Sequence, residues 1–167
     1  YDCATHVPLI FSGPGIPKNE KRDALVYLMD IFPTLCDMVE TGIPDSVESH
    51  SLLPIIYKEK DSVRDSIFFA FKYWQRAVQT PKWKLLYFNF YGEKHTMLYD
   101  MENDPQEIVN LYNNPAFADV ITEMRGRIDE WIEETGDLVK LDEDDWGVEA
   151  LPPWSGHGKW DDPNTRI

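Results

Sequence analysis

Two carboxylates three residues apart, Asp104 and Glu107, are the first residues whose type and spacing could do chemistry, because paired carboxylates can act as general acid and base. Pro105 lies between them and changes the interpretation. Proline fits the first position of a helix, Asp104 fits the capping position before it, and Glu107 fits the third position of a capping box. The stretch is therefore predicted to be a helix start, with Ile108 and Leu111 facing inward, rather than an acid–base pair.

A second stretch whose residue types could bind a ligand is residues 73–76, Tyr-Trp-Gln-Arg. An aromatic ring next to an arginine at the start of a strand can stack on a sugar ring while the guanidinium pairs with an anion. Trp74 and Arg76 would make these contacts. The alternative is that Trp74 packs against Trp83 and that Arg76 meets surface carboxylates.

Metal and thiol chemistry find little support in the sequence. Asp142 and Asp144 have the spacing of a calcium loop, but Trp146 and Pro153 stand where that loop needs ligands. The two cysteines, at positions 3 and 36, form no Cys-x-x-Cys pattern and are predicted to be free and buried. No nucleophile elbow is present. No residue of this chain is therefore predicted to be catalytic or to bind a metal.

The balance of charge excludes two classes of partner. The chain has 167 residues, with 16 Lys and Arg against 30 Asp and Glu, and a formal net charge of −14. Nucleic-acid phosphates need clustered Lys and Arg, and an anionic membrane surface would repel such a chain. Hydrophobic residues make up 43%, which is enough for a core. No apolar run approaches the roughly 18 residues of a membrane span.

The first third of the chain alternates short apolar runs with a helix pattern. Residues 7–11 are continuously apolar, which predicts a strand buried on both faces of a parallel sheet. Residues 23–29 are predicted to be extended. Residues 30–42 predict a helix with Pro33 near its start, and residues 51–56 a short helical or irregular anchor.

From residue 64 the pattern changes to strands and one long helix. Runs at 66–71, 75–80, 83–88 and 95–100 predict one antiparallel sheet. Asn114 and Pro115 begin a last helix, which is predicted to end at Gly136 and to cover that sheet with its apolar face. After residue 141 a tail rich in Trp, Pro and Asp is expected to wrap over the surface.

Four segments, in order, together resemble the type I sulfatases of the alkaline phosphatase superfamily. They are Tyr1-Asp2 with Val7-Pro8-Leu9-Ile10 and Gly13-Pro14-Gly15-Ile16; Asp30-Ile31-Phe32-Pro33-Thr34-Leu35; Ser51-Leu52-Leu53-Pro54; and Leu98-Tyr99-Asp100 with Asp104-Pro105, Glu107 and Asn110-Leu111. The match covers roughly residues 1–135. Each segment alone is a weak signal, and their shared order makes the match specific.

The resemblance implies an alkaline-phosphatase-like α/β fold, of which this chain is a fragment. Residues 1–57 would be the C-terminal end of the large α/β domain. Residues 58–140 would be the small C-terminal subdomain, about four antiparallel strands packed on one long helix. Residues 141–167 would be an extended tail.

The resemblance also implies hydrolysis of sulfate esters by a formylglycine nucleophile and a calcium ion, Ca2+. The nucleophile of the family lies in a Cys-x-Pro-x-Arg segment, and neither cysteine of this chain has that context. The nucleophile and metal ligands are therefore expected upstream of residue 1. The 167-residue chain alone is predicted to be inactive.

His6 departs from the family, which usually has arginine before Val-Pro. By resemblance this loop borders the sulfate pocket, so His6 could donate a hydrogen bond to an anionic oxygen or a sugar hydroxyl. The alternative is a loop histidine without a ligand. His6, Trp74 and Arg76 are the predicted substrate-binding residues.

The implied function is that of the C-terminal part of a sulfuric ester hydrolase acting on sulfated carbohydrates, in the periplasm or outside the cell. Its partner would be the upstream part of the same protein. Two alternatives stay open: a non-catalytic carbohydrate-binding or interaction module, and a phosphodiesterase or phosphonate hydrolase of the same superfamily. Isolated, the fragment is expected to self-associate or to be partly disordered over residues 1–57, because it would expose sheet edges and an apolar face.

Overall fold

A computed structural model describes residues 1–90, 93–144 and 146. The helices are α1 (Asp2–Thr5), α2 (Ile31–Met38), α3 (Leu53–Ile56) and α4 (Ala118–Thr135), with 3-10 turns at Leu28–Asp30 and Pro115–Phe117. The strands are β1 (Ile67–Phe71), β2 (Gln75–Gln79), β3 (Trp83–Phe90) and β4 (Glu93–Asp100). None of the helices within these described ranges is both long and apolar enough to cross a membrane.

The chain groups into two compact units. The first contains Tyr1–Ile67, Gln79–Lys84 and Tyr99–Asn110, and the second contains Phe68–Val78, Leu85–Leu98 and the chain from Leu111. The domain boundaries near residues 57 and 140 stay a prediction. Beyond Trp146, the expected tail with Trp154 and Trp160 lies outside the described residues.

The four strands form one antiparallel sheet in the order β1-β2-β3-β4, as predicted. Each strand lies beside its neighbour in sequence because no more than three residues separate consecutive strands. Between β2 and β3, the Thr80 N–H donates to the Trp83 carbonyl at 2.8 Å, and the Thr80 hydroxyl accepts from the Trp83 N–H at 2.9 Å.

Helix α4 ends at Gly136 as the sequence predicts, whereas the helix start predicted at Asn114 is a 3-10 turn, Pro115–Phe117, that leads into α4 at Ala118. The Asn114 side chain accepts a hydrogen bond from the Ala116 N–H, and Gly136 ends the helix in the left-handed conformation with φ 64°. Met124 and Ile128 are fully buried on one face of α4. The Trp131 ring stacks on Phe68 of β1 at 5.8 Å, so this face covers the sheet.

Two expectations for the first unit are wrong. Residues 7–11 form no strand, and Ile10 is 85% exposed. An apolar run becomes a strand only when it has neighbours to pair with, and no described segment pairs with it. Cys36 is buried as expected, but Cys3 is exposed, because α1 is a single turn without a buried face.

Asp30 is the charged centre of the first unit. Its carboxylate is fully buried and forms a two-pronged ion pair with the Arg64 guanidinium, at 2.6 and 2.7 Å. It also accepts hydrogen bonds from the N–H groups of Tyr27, at 2.7 Å, and His50, at 3.1 Å. The Arg64 guanidinium lies 4.8 Å above the Tyr27 ring. One carboxylate therefore joins the start of α2 to three other segments.

Burial raises the pKa of the Asp30 carboxyl, but the hydrogen bonds from Arg64, Tyr27 and His50 outweigh burial, and its pKa is lowered overall. A carboxyl with a lowered pKa stabilises the folded state above its unfolded pKa. That stabilisation is lost as the pH falls through the folded pKa.

We predict that Asp30→Asn lowers the free energy of unfolding at pH 7 by about 3–5 kcal/mol, because it leaves the buried Arg64 guanidinium without a counter-charge. Wild-type stability should also decline below about pH 4, and this decline should be weaker in the variant. Urea unfolding followed by circular dichroism, from pH 7 downward, measures both effects.

Asp37→Asn is the matched control, because Asp37 is an exposed carboxylate on the same helix. Its substitution should change the unfolding free energy by no more than about 0.5 kcal/mol. Equal effects of the two substitutions would contradict the role given to Asp30.

Candidate functional site

A buried ion cluster holds the beginning of the chain in the first unit. Lys84 on β3 is 1% exposed, and its ammonium lies 2.8 Å from Asp2 Oδ1 and 2.7 Å from Glu107 Oε1. The second Glu107 oxygen accepts a hydrogen bond from the Asp2 N–H at 2.6 Å. The Tyr1 ring lies 6.2 Å from the ring of Tyr99. The residues just before His6 are thus fixed by long-range contacts.

The capping box expected at Asp104 and Glu107 is wrong. Glu107 has φ 56°, in the left-handed region, and residues 105–111 form no helix. Its side chain is buried against Lys84 instead of returning to Asp104. Asp104 does accept hydrogen bonds from two backbone N–H groups, those of Ile108 and Val109, at 2.9 and 2.8 Å. Ile108 is 73% exposed rather than inward-facing.

The position of Lys84 in the sequence indicates that it needs a buried ion-pair partner. Lys84 interrupts the apolar run of β3, where a side chain on the buried face needs a neutralising partner. The pattern could not say which of many carboxylates would provide it.

His6 joins the cluster at its edge. Its Nδ1 lies 3.4 Å from Asp2 Oδ2, and its side chain is 79% exposed. The Asp2 carboxylate is itself paired with Lys84. The imidazole therefore lies beside an anchored carboxylate and stays open to a ligand. Its role in binding substrate stays a prediction.

Trp74 and Arg76 lie in the second unit and have different environments. Arg76 is 4% exposed, and its guanidinium pairs with Asp137 through Nε to Oδ2 and through Nη2 to Oδ1, the latter at 2.9 Å. Its Nη1 donates to the carbonyls of Lys72 and Gln75, at 2.6 and 2.7 Å. Arg76 therefore shapes the turn between β1 and β2.

Burial raises the pKa of Asp137, but the hydrogen bonds from Arg76 outweigh it and lower that pKa overall. The Asp137 carboxyl is therefore ionised in the neutral range. The Trp74 ring meets Phe90 edge to face at 4.9 Å. Substrate contact by Trp74 and Arg76 stays a prediction.

Within the described residues, no group of three or more His, Cys, Asp or Glu side chains could hold a metal ion. Cys3 precedes Ala4 and Cys36 precedes Asp37, so neither has the family's nucleophile context. The residues described here therefore do not fit a calcium site or a formylglycine precursor.

The sequence matches the family N-sulphoglucosamine sulphohydrolase, C-terminal, over residues 1–134. The Delta 4,5-hexuronate-2-O-sulfatase of Bacteroides thetaiotaomicron is 32% identical over 174 residues, covering 94% of this chain and 35% of that protein. An arylsulfatase of Clostridium perfringens is 33% identical over 132 residues, covering 75% of this chain and 27% of that protein. The chain thus spans about a third of the length of curated relatives that it matches.

Solved structures agree with these relatives. A 2-O GAG sulfatase is similar at a TM-score of 0.66 and 29% identity, covering 80% of this chain and 31% of that chain. The phosphonate monoester hydrolase of Agrobacterium radiobacter is similar at a TM-score of 0.50 and 22% identity, covering 63% and 24% of the two chains, which shows a likeness of fold alone.

The fold is therefore the alkaline-phosphatase-like fold of the sulfatases, of which this chain carries a fragment. The chain belongs to the N-sulphoglucosamine sulphohydrolase C-terminal family. The family resemblance seen in four short sequence segments is confirmed.

We predict that Lys84→Met lowers the free energy of unfolding by about 3–5 kcal/mol, because it leaves the buried Glu107 carboxylate and the part-buried Asp2 carboxylate without their counter-charge. Adding Glu107→Gln should recover part of the loss, because one of those carboxylates is then neutral. Urea unfolding of the single and double variants gives the interaction energy of the pair.

Lys82→Gln provides the control on the same hairpin. Lys82 pairs with Glu102 at 3.5 Å, and both side chains are about half exposed. Its removal should change stability by less than about 1 kcal/mol. A loss for Lys84→Met no larger than this would contradict the cluster's role.

Proposed function

We propose that this chain is the C-terminal part of a sulfatase that hydrolyses sulfate esters on sulfated carbohydrates. The match to a sulfohydrolase family over residues 1–134 carries the proposal. Two similar proteins, named as a hexuronate-2-O-sulfatase and a 2-O GAG sulfatase, support a sulfated carbohydrate as the substrate class.

The proposal places the nucleophile and the metal ligands in the protein upstream of residue 1. The described residues offer no fitting metal cluster and no fitting cysteine, while the relatives are about three times as long as this chain. A formylglycine would supply the attacking oxygen, and Ca2+ would balance the charge of the sulfate. Residues of this chain would bind and position the carbohydrate.

The exposed apolar surface of the first unit supports an upstream partner. Phe32 and Leu35 of α2, and Val39 directly after it, are each at least half exposed. Residues 9–11 line a cavity of about 340 Å³ together with Val26, Leu52 and other side chains of the same unit. Apolar surface of this kind is typical of an interface rather than of a free surface. We propose that the upstream part of the same polypeptide covers it, and that the isolated fragment self-associates.

A periplasmic or extracellular location belongs to the same proposal, because sulfated carbohydrates of the kind named for the relatives are extracellular polymers. His6, Trp74 and Arg76 are its proposed substrate contacts. His6 is the best placed of them for direct contact, since its imidazole is exposed and lies beside Asp2.

The central experiment compares the 167-residue chain with the full polypeptide that carries it. We expect the full polypeptide to release sulfate from 4-nitrophenyl sulfate and from a 2-O-sulfated hexuronate disaccharide. The 167-residue chain alone should release no more than a heat-inactivated control. Sulfate release by the 167-residue chain alone would contradict the assignment of the catalytic residues to the upstream part of the protein. Carbohydrate binding by a full polypeptide without turnover would favour a non-catalytic module.

A second prediction concerns His6. In the full polypeptide, His6→Ala should lower kcat/KM for the sulfated disaccharide about tenfold, mainly through KM, because one charge-assisted hydrogen bond to the substrate is lost. His50→Ala is the matched control, since His50 is an exposed histidine of the same unit. Equal kinetics for His6→Ala and wild type would remove His6 from the site.

A further inference from the structure

The turn between β1 and β2 is held in one conformation by contacts within the second unit. Lys72 has φ 50°, a left-handed conformation that glycine and asparagine adopt far more readily than lysine. The Trp74 N–H donates to the Phe71 carbonyl at 3.1 Å, and Arg76 Nη1 donates to the Lys72 carbonyl at 2.6 Å. Because Asp137 fixes Arg76, the turn is anchored to the chain after α4.

Lys72 differs from the other cations that the structure describes in this unit. Each of the others pairs with a carboxylate, and they are Arg76, Lys94, Arg125, Arg127 and Lys140. The Lys72 ammonium instead lies over aromatic rings, 4.5 Å from the centroid of Trp74 and 5.8 Å from that of Phe71. Among the described residues, no carboxylate lies within ion-pair distance of it.

This placement keeps the charge available. An aromatic face attracts an ammonium group without accepting its N–H bonds, so these remain free to bind an anion. In a chain with a net charge of −14, an anion is repelled from most of the surface and is attracted to a cation that no carboxylate neutralises.

A flat apolar ring lies beside this cation. The Phe71 side chain is 52% exposed, and Phe90, which contacts Trp74, is 38% exposed. An exposed aromatic ring can stack on the C–H face of a pyranose, and a lysine at its edge can pair with an acidic substituent of that sugar. The strained turn presents both groups together, and strain of this kind often marks a functional site.

We propose that Phe71 and Lys72 form a binding subsite for an anionic sugar unit of a sulfated carbohydrate. The Phe71 ring stacks on the sugar, and the Lys72 ammonium pairs with a sulfate or carboxylate on it. The identity of the ligand rests on the proposed function, whereas the site itself rests on the geometry of the turn.

Calorimetric binding of a sulfated glycosaminoglycan tetrasaccharide and of its desulfated counterpart, to the full polypeptide, tests the subsite. Lys72→Asn removes the charge but suits the left-handed backbone, so the thermal midpoint should be maintained while affinity falls about tenfold. Lys72→Arg should bind within about twofold of wild type, because it keeps the charge. Phe71→Ala should lose about fivefold in affinity.

Lys140→Asn is the matched control, because it removes a charge that Glu143 already neutralises. It should bind within about twofold of wild type. If Lys72→Asn lowers the affinity for both probes, the Lys72 ammonium contacts a carboxylate of the sugar. If it lowers the affinity for the sulfated probe alone, the ammonium contacts a sulfate. Wild-type affinity in both Lys72→Asn and Phe71→Ala would overturn the subsite.

Hydrolysis of 4-nitrophenyl sulfate by the same wild-type preparation separates this inference from the proposed function. Turnover together with unchanged affinity in the variants would reject the subsite and leave the sulfatase assignment intact. No turnover together with affinity lost on Lys72→Asn would reject the sulfatase assignment and leave the subsite intact.

Discussion

A buried ammonium group needs a counter-charge, and Lys84 obtains it from carboxylates near the two ends of the first unit, Asp2 and Glu107. The same constraint recurs in the pair Asp30–Arg64 and, in the second unit, in the pair Arg76–Asp137. The paired residues are 82, 34 and 61 positions apart in the sequence. Buried ion pairs, rather than apolar contacts alone, therefore join distant segments within each unit.

Elements whose causes are local could be predicted from the sequence. Asn114 caps the 3-10 turn that leads into α4, Gly136 ends α4, and the apolar spacing of α4 gives the buried face with Met124 and Ile128. The hairpin of β2 and β3 follows from two runs with strand pattern, at 75–80 and 83–88, and a turn at Thr80. In each case the information lies within a few residues of the structure that it specifies.

Features that depend on distant partners could not be predicted in this way. Residues 7–11 have the composition of a buried strand, but a strand forms only where another segment pairs with it. Asp104 and Glu107 fit a capping box by spacing. In the structure, however, the Glu107 carboxylate pairs with the buried Lys84 ammonium and not with the backbone at Asp104. The local sequence pattern around Glu107 does not include Lys84, which lies 23 residues earlier on β3.

The candidate site shows the same limit. The neighbouring types Trp74 and Arg76 predict a stacking and pairing surface, and in the structure the Trp74 ring contacts Phe71 and Phe90. Asp137 neutralises Arg76 and buries it, so the charge that stays exposed at this turn is that of Lys72. In an acidic chain most cations acquire a carboxylate partner, so residue type alone is a weak guide to anion binding. The informative property of a cation is whether a carboxylate pairs with it, and only the three-dimensional contacts reveal that.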